Sequence, residues 1–322
     1  MADGRTTGSG RFTFGHRPIT LPDRVREHLG ASHGAFSPDR ELDGGDGSTW
    51  FALKSVGLLR LDPALTEISV VGGDPLIQAA NIHGSCLVRL GGDTWLGLAS
   101  DDAQTVWLTD MTGRIVRTFS NPYGPAGSPF NVCDVEMVDG RLYAANGYAD
   151  NVCFSCDPFG ASAADPGIGH WDGSRFGGQG TRHGRFATAH GLTRVPGTNV
   201  FTVADRENSR LESFAPPGRF VATLAVPPGA LPCSVDYYDR FALVACLEGP
   251  LAGIPAPIYV FEDGNLISEI NIGRDLGLAG FDHIHSAAFR VIERPDGATE
   301  FLVLASAWNP GNFAILESRS QA

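Results

Sequence analysis

The chain is short of basic residues: 24 Lys and Arg stand against 36 Asp and Glu, a net charge of -12 at pH 7. Binding along a phosphate backbone needs concentrated Lys and Arg, so no nucleic-acid partner is expected. Long apolar runs are missing too, since no segment approaches the roughly 20 residues that span a bilayer, and no membrane is expected. Residues 1–18 are polar and glycine-rich and lack the basic-then-apolar layout of a secretory leader, so the expected compartment is the cytoplasm. The opening segment, 1–34, is expected as a loose tail and lead-in to a single domain over 35–322. Cysteine is sparse, with six residues, and only Cys153 and Cys156 have CxxC spacing. On a strand, positions i and i+3 point to opposite faces, so these are expected as reduced core thiols rather than a metal or redox pair.

Turn formers are plentiful. The sequence carries 41 glycines and 21 prolines, clustered with Asp between short apolar runs, the chemistry of many tight turns between strands. Those runs repeat. Ile82-His83-Gly84-Ser85, Ala189-His190-Gly191-Leu192 and Ile284-His285-Ser286-Ala287 each open a strand-like segment. Downstream of each lies a small-residue signature: Leu98-Ala99-Ser100, Val203-Ala204-Asp205 and Leu304-Ala305-Ser306. Ala144-Ala145-Asn146 and Val244-Ala245-Cys246 repeat that signature in units opening at Cys133 and Cys233, and a weaker first unit surrounds Trp50-Phe51-Ala52-Leu53. Six β units at this period predict an all-β chain folded as a six-bladed β-propeller.

Within one unit, strands are expected at 85–88, 95–98, 105–108 and 115–118, and Asp139-Gly140 and Asp263-Gly264 read as hairpin turns. The insertion from Asp157 to Phe186 is the longest and is expected to shape a substrate pocket on the rim.

The histidines fall in units two, four and six, about 120° apart around a six-fold axis. Three imidazoles from innermost strands then converge as a metal site with open coordination positions. The first two strands of a blade form an antiparallel hairpin, so the start of one lies beside the end of the other. That rule places Arg206 on the face of His190 and Tyr148 beside Cys133. His283, two residues before His285, shares its strand face and is a candidate proton donor.

The segment 189–192 followed by Val203-Ala204-Asp205-Arg206-Glu207-Asn208-Ser209-Arg210 resembles the NHL-repeat propeller of peptidyl-α-hydroxyglycine α-amidating lyases. Gly178-Gln179-Gly180-Thr181-Arg182-His183-Gly184-Arg185-Phe186 is similar to the glycine-rich lead-in of NHL repeats, and Asn146-Gly147-Tyr148-Ala149-Asp150-Asn151 to that lyase's tyrosine loop. The resemblance implies a catalytic zinc on His83, His190 and His285, a catalytic Tyr148 and a substrate-binding Arg206. It implies cleavage of an α-hydroxyglycine amide to an amide and glyoxylate. The chain departs from the family at Ser286, where an aspartate is usual, and at a first-blade arginine, for which Lys54 is the nearest candidate.

The expected function is therefore a metal-dependent lyase acting on an α-hydroxy amide-like small molecule, with Tyr148 as acid/base and Arg206, Ser286 and Lys54 around the substrate. A metal-dependent hydrolase or hydratase on the same scaffold is the alternative, and a non-enzymatic NHL binding propeller the third reading. Zinc is the default cofactor, with iron, copper, nickel or manganese also suited to three imidazoles, and a structural calcium a second expected ion.

Overall fold

A computed structural model of the chain describes residues 4–160, 165, 167–294 and 297–319. Parts of the expected lead-in (1–3), of the long insertion (161–164 and 166) and of the chain's end (320–322) lie outside them. Six antiparallel sheets follow one another around an axis as the blades of a β-propeller. The second blade, Ile82–Leu90, Asp93–Ser100, Thr105–Thr109 and Ile115–Phe119, contains all four strands expected there. The third begins with Asp134–Val138 and Arg141–Asn146, the fourth with Ala189–Arg194 and Phe201–Asp205, the fifth with Pro232–Tyr238 and Phe241–Cys246. Asp139 and Gly140 both adopt positive φ, 49° and 74°, as do Asp263 and Gly264, so both hairpins close with the expected turn.

The opening segment is not a loose tail. Phe12–Arg17 pairs antiparallel with Asn312–Ser318, and Thr7–Ser9 pairs with Phe12–Arg17, giving the sixth blade five strands with both ends of the chain in one sheet. Phe12 and Phe14 alternate inward and are buried against Phe241, Phe289 and Phe301 between the last two blades. Period-two burial of two aromatics against an existing core explains why so polar a stretch becomes a strand.

The long insertion also differs from expectation. Its residues Arg175–Gly177 form the outermost strand of the third blade, Trp171 packs on Phe119, Phe130 and Phe154, and Phe159 packs on Trp95. Its described residues seal the outer space between blades, and its end meets the turn after the fourth blade's second strand, where the Gly180 carbonyl accepts from Asn208 at 3.0 Å. All six cysteines are free and buried, and Cys153 and Cys156 enter the separate cores on the two faces of their sheet. No helix among the described residues is long and apolar enough to cross a membrane.

One local feature recurs at the axis. In the pairing of the first two strands, the register shifts at His83, at His190 and Gly191, at Cys233 and at His285. A bulge leaves one residue outside the ladder and re-aims its side chain. The axial residue of each of these blades is therefore turned out of the sheet toward the centre.

Ring closure by residues 12–17 makes a specific prediction. Phe14→Ala empties a fully buried site and should cost about 3–5 kcal/mol, read as a lower urea midpoint with an unchanged far-UV spectrum. A loss under about 1 kcal/mol would mean that the strand adds little to the ring.

Candidate metal centre

The three expected histidines meet. His83, His190 and His285 are 1%, 2% and 3% exposed, and their ring centroids lie 4.5 Å (83–285), 4.8 Å (83–190) and 5.0 Å (190–285) apart. Backbone carbonyls set two of the tautomers. His83 Nδ1 is 2.6 Å from the Cys133 carbonyl and His190 Nδ1 is 2.8 Å from the Cys233 carbonyl. A carbonyl only accepts, so each Nδ1 carries the proton and each Nε2 presents a lone pair, the arrangement found behind metal-binding histidines. His285 has its Nε2 3.2 Å from that of His83, while its buried Nδ1 has no hydrogen-bond partner.

Tyr148 stands among these lone pairs. Its hydroxyl is 3.1 Å from His83 Nε2 and 3.0 Å from His190 Nε2, and it accepts a hydrogen bond from Arg206 Nη1 at 3.2 Å. The one phenolic proton can serve only one of these two nitrogens, and His83 Nε2 also faces His285 Nε2. A cation placed among the imidazoles would take the lone pairs of these converging nitrogens, and neutral nitrogen donors of this kind suit zinc. Burial, the largest influence on each, holds all three histidines well below their usual pKa, with neighbouring imidazoles and Arg206 acting in the same direction. They are neutral at pH 7, as ligands must be. The imidazoles gathered here can hold a metal ion, and the trio whose ring nitrogens come within 4.8 Å of one another includes His83 and His285.

The structure adds a residue that the sequence reading missed. Ring nitrogens of His33, His83 and His285 lie within 4.8 Å of one another, and the His33 ring sits 4.5 Å from that of His83 and 4.3 Å from that of His285. His33 belongs to the first blade, ahead of its inner strand Ser37–Pro38. The signal was in the chain: His33-Gly34 repeats the dipeptide of His83-Gly84 and His190-Gly191. These glycines share a cause. A Cβ would stand 2.8 Å from the Ile82 carbonyl oxygen at Gly34, 2.6 Å from that of Cys133 at Gly84 and 2.5 Å from that of Cys233 at Gly191. The next blade's backbone passes too close for a side chain.

The other expected residues separate into those at the mouth and those away from it. Arg206 lies in a 3-10 turn, Arg206–Asn208, directly after the second strand of the fourth blade, with its guanidinium over the Tyr148 ring at 5.4 Å and paired with Glu207 at 2.9 Å. His283 does not share a strand face with His285. The strand begins at Ile284 and is bulged at His285, so alternation does not extend back to His283, whose Nδ1 instead meets the Leu247 carbonyl at 2.9 Å. Ser286 lines a cavity of about 590 Å³ along the axis, with Ser85, Asp134, Ser234 and Asp236, and not the mouth beside Tyr148. Lys54 pairs with Asp102 at 2.8 Å on the rim of a cleft of about 550 Å³ that His33, Asn81 and Trp308 also line, so it stands at the outer edge of the imidazole cluster. Cys133 and Cys233 hold the axial positions of the third and fifth blades. Burial pushes the Cys233 thiol up to about 12, against the pull of Arg206, so it stays protonated and serves as a small filler. The expected structural calcium finds no cluster of carboxylates to hold it among the described residues.

Because burial keeps these imidazoles neutral below the ordinary histidine value, protons compete weakly for them. A bound metal ion should therefore persist as pH falls from about 8 to about 6, measured as metal content after dialysis at each pH. Release of most of the metal by about pH 6 would contradict the buried, neutral site.

No family profile matches the chain. Among characterised proteins, peptidyl-glycine alpha-amidating monooxygenase A of Xenopus laevis is 31% identical over 183 residues, which is 51% of this chain and 19% of that protein. The chain thus spans about a fifth of the relative it matches. Among solved structures, a streptogramin B lyase superposes with a TM-score of 0.55 at 12% identity, covering 90% of this chain and 95% of that one. At that identity the likeness speaks for the fold alone. Repeat, blades and relative agree: the chain is a six-bladed β-propeller that resembles the amidating enzymes.

Proposed function

We propose that the protein is a zinc-dependent lyase of the cytoplasm that cleaves the C–N bond of a small α-hydroxy amide. One observation carries this reading. Three buried imidazoles converge, and the two whose proton is tied back to a carbonyl meet a phenol that an arginine also holds. The partial likeness to an amidating monooxygenase supports the substrate class.

Bound on His83, His190 and His285, zinc would supply Lewis acidity that makes a substrate hydroxyl easier to ionise. The chain's own residues then have distinct tasks. Arg206 offers a planar fork to a carboxylate or carbonyl of the substrate, and its Nη1 already orients Tyr148. Tyr148 takes the hydroxyl proton: burial, the largest influence, raises its pKa despite the opposing pull of the Arg206 guanidinium, and a cation on the imidazoles would lower it toward the working range. As the hydroxyl oxygen forms a carbonyl, the C–N bond breaks and the departing amide nitrogen takes up one proton. The products are a primary amide and an α-oxo acid such as glyoxylate, with atoms and charge in balance. Burial of the histidines keeps bulk water away from the breaking bond.

Protein purified without an affinity metal should contain near-stoichiometric zinc, lost in His190→Ala, and should release glyoxylate from α-hydroxyglycine amides. Absence of metal in both samples after reconstitution would remove the enzyme reading, and hydrolysis products in place of glyoxylate would favour the hydrolase. Tyr148→Phe should retain zinc while lowering kcat about 10²–10⁴-fold, the usual range for a lost acid/base group. Unchanged turnover in that variant would remove the tyrosine from the reaction.

A further inference from the structure

We infer that His33 is the hydrogen-bond donor of this centre and not a fourth metal ligand, and that the molecule entering the mouth sets an oxygen against its ring N–H. The inference rests on the metal reading above. It follows from how neighbours fix the proton on each ring.

The Nδ1 of His33 lies 2.8 Å from the side-chain nitrogen of Asn81. An amide nitrogen carries two hydrogens and no available lone pair, so it can only donate. Asp101 settles which end of the amide is the nitrogen, because its Oδ1 accepts from that same atom at 2.9 Å. Turned over, Asn81 would press its carbonyl oxygen against a carboxylate. Nδ1 of His33 is therefore an acceptor, and the neutral ring carries its proton on Nε2. This is the reverse of His83 and His190, whose Nδ1 protons go to carbonyls and whose Nε2 atoms are bare. Three of the four imidazoles face the centre from buried positions, while His33 is half-buried and lines the cleft with Asn81, Lys54, Asp102 and Trp308.

The surroundings hold this ring in place. Trp308 stacks on it at 5.5 Å with 25° between planes, and the Asn81 backbone N–H is itself held by Asp102 at 2.9 Å. An N–H fixed beside the imidazole cluster, on the wall of an open cleft, recognises an oxygen acceptor: the hydroxyl, carbonyl or carboxylate of an α-hydroxy acid derivative. Glycolate is the smallest probe of that class.

The experiment loads zinc into the wild type, His33→Ala and His33→Gln, checks folding by circular dichroism, and measures zinc content and glycolate affinity by calorimetry. His33→Ala should keep one zinc per chain while binding glycolate about tenfold or more weakly, the loss expected for one hydrogen bond to a charged oxygen. His33→Gln, which offers an amide N–H, should recover part of that affinity. Paired substitution N81D and D101N reverses the donor and acceptor order, moves the His33 proton to Nδ1, and should weaken glycolate as His33→Ala does. Loss of zinc from His33→Ala would make His33 a ligand and overturn the inference. Equal glycolate affinity in wild type and His33→Ala, or none in zinc-loaded wild type, would overturn it while leaving the metal centre intact. A wild type that takes up no zinc would overturn the metal reading and this role together.

Discussion

Every inner strand of the ring has a hydrogen-bonded neighbour on one side only, and the other edge faces the axis. Unpaired amides there must find acceptors, or the centre of the propeller would bury unsatisfied polar groups. Side chains of the preceding odd-numbered blade supply them. Asp134 accepts from the Leu192 amide at 2.9 Å and Glu136 from the Arg194 amide at 3.0 Å. Asp236 accepts from the Phe289 amide at 2.7 Å, and Ser234 from the Ala287 amide at 3.2 Å. Burial pushes the Asp134 carboxyl well above the usual range and that of Glu136 up to about 7, against the pull of those same amides. These contacts fix the height of one inner strand against the next. Three histidines from separate blades meet at one level because of that registration.

Much of this was legible in the sequence. The blades could be counted from a repeated small-residue signature, because a strand packed between two blades must be small where backbones approach. The alternate spacing of His83, His190 and His285 gave their convergence, and the hairpin rule put Tyr148 and Arg206 beside them. What failed shares a cause: an interrupted period. The first blade's inner strand is only Ser37–Pro38, and the turns between it and Trp50 break the spacing that would have aligned His33-Gly34 with its counterparts. Alternation misled at His283 because the bulge at His285 resets which face each residue takes. The strand at Phe12–Arg17 was hidden by polar, glycine-rich surroundings, and its partner is the far end of the chain.

The mouth also shows how second neighbours sort chemically identical side chains. Four imidazoles crowd a small volume, yet the groups behind them differ: carbonyls of Cys133 and Cys233 behind two, the amide of Asn81 behind another. Which nitrogen carries the proton follows from that alone, without any difference in the histidines themselves. The axial cysteines contribute through their backbone, and their thiols serve only as volume.

The shared sixth blade ties assembly of the ring to the order in which the chain is made. Residues 12–17 are made long before their partner, 312–318. Until then the strand that carries two buried phenylalanines lacks its hydrogen-bonded partner, and the sheet stack is open at that seam. Pairing across nearly the whole sequence is the slowest kind of contact to form. The ring therefore closes as a final event, and the histidines, drawn from blades on both sides of that seam, reach their common point only when it does.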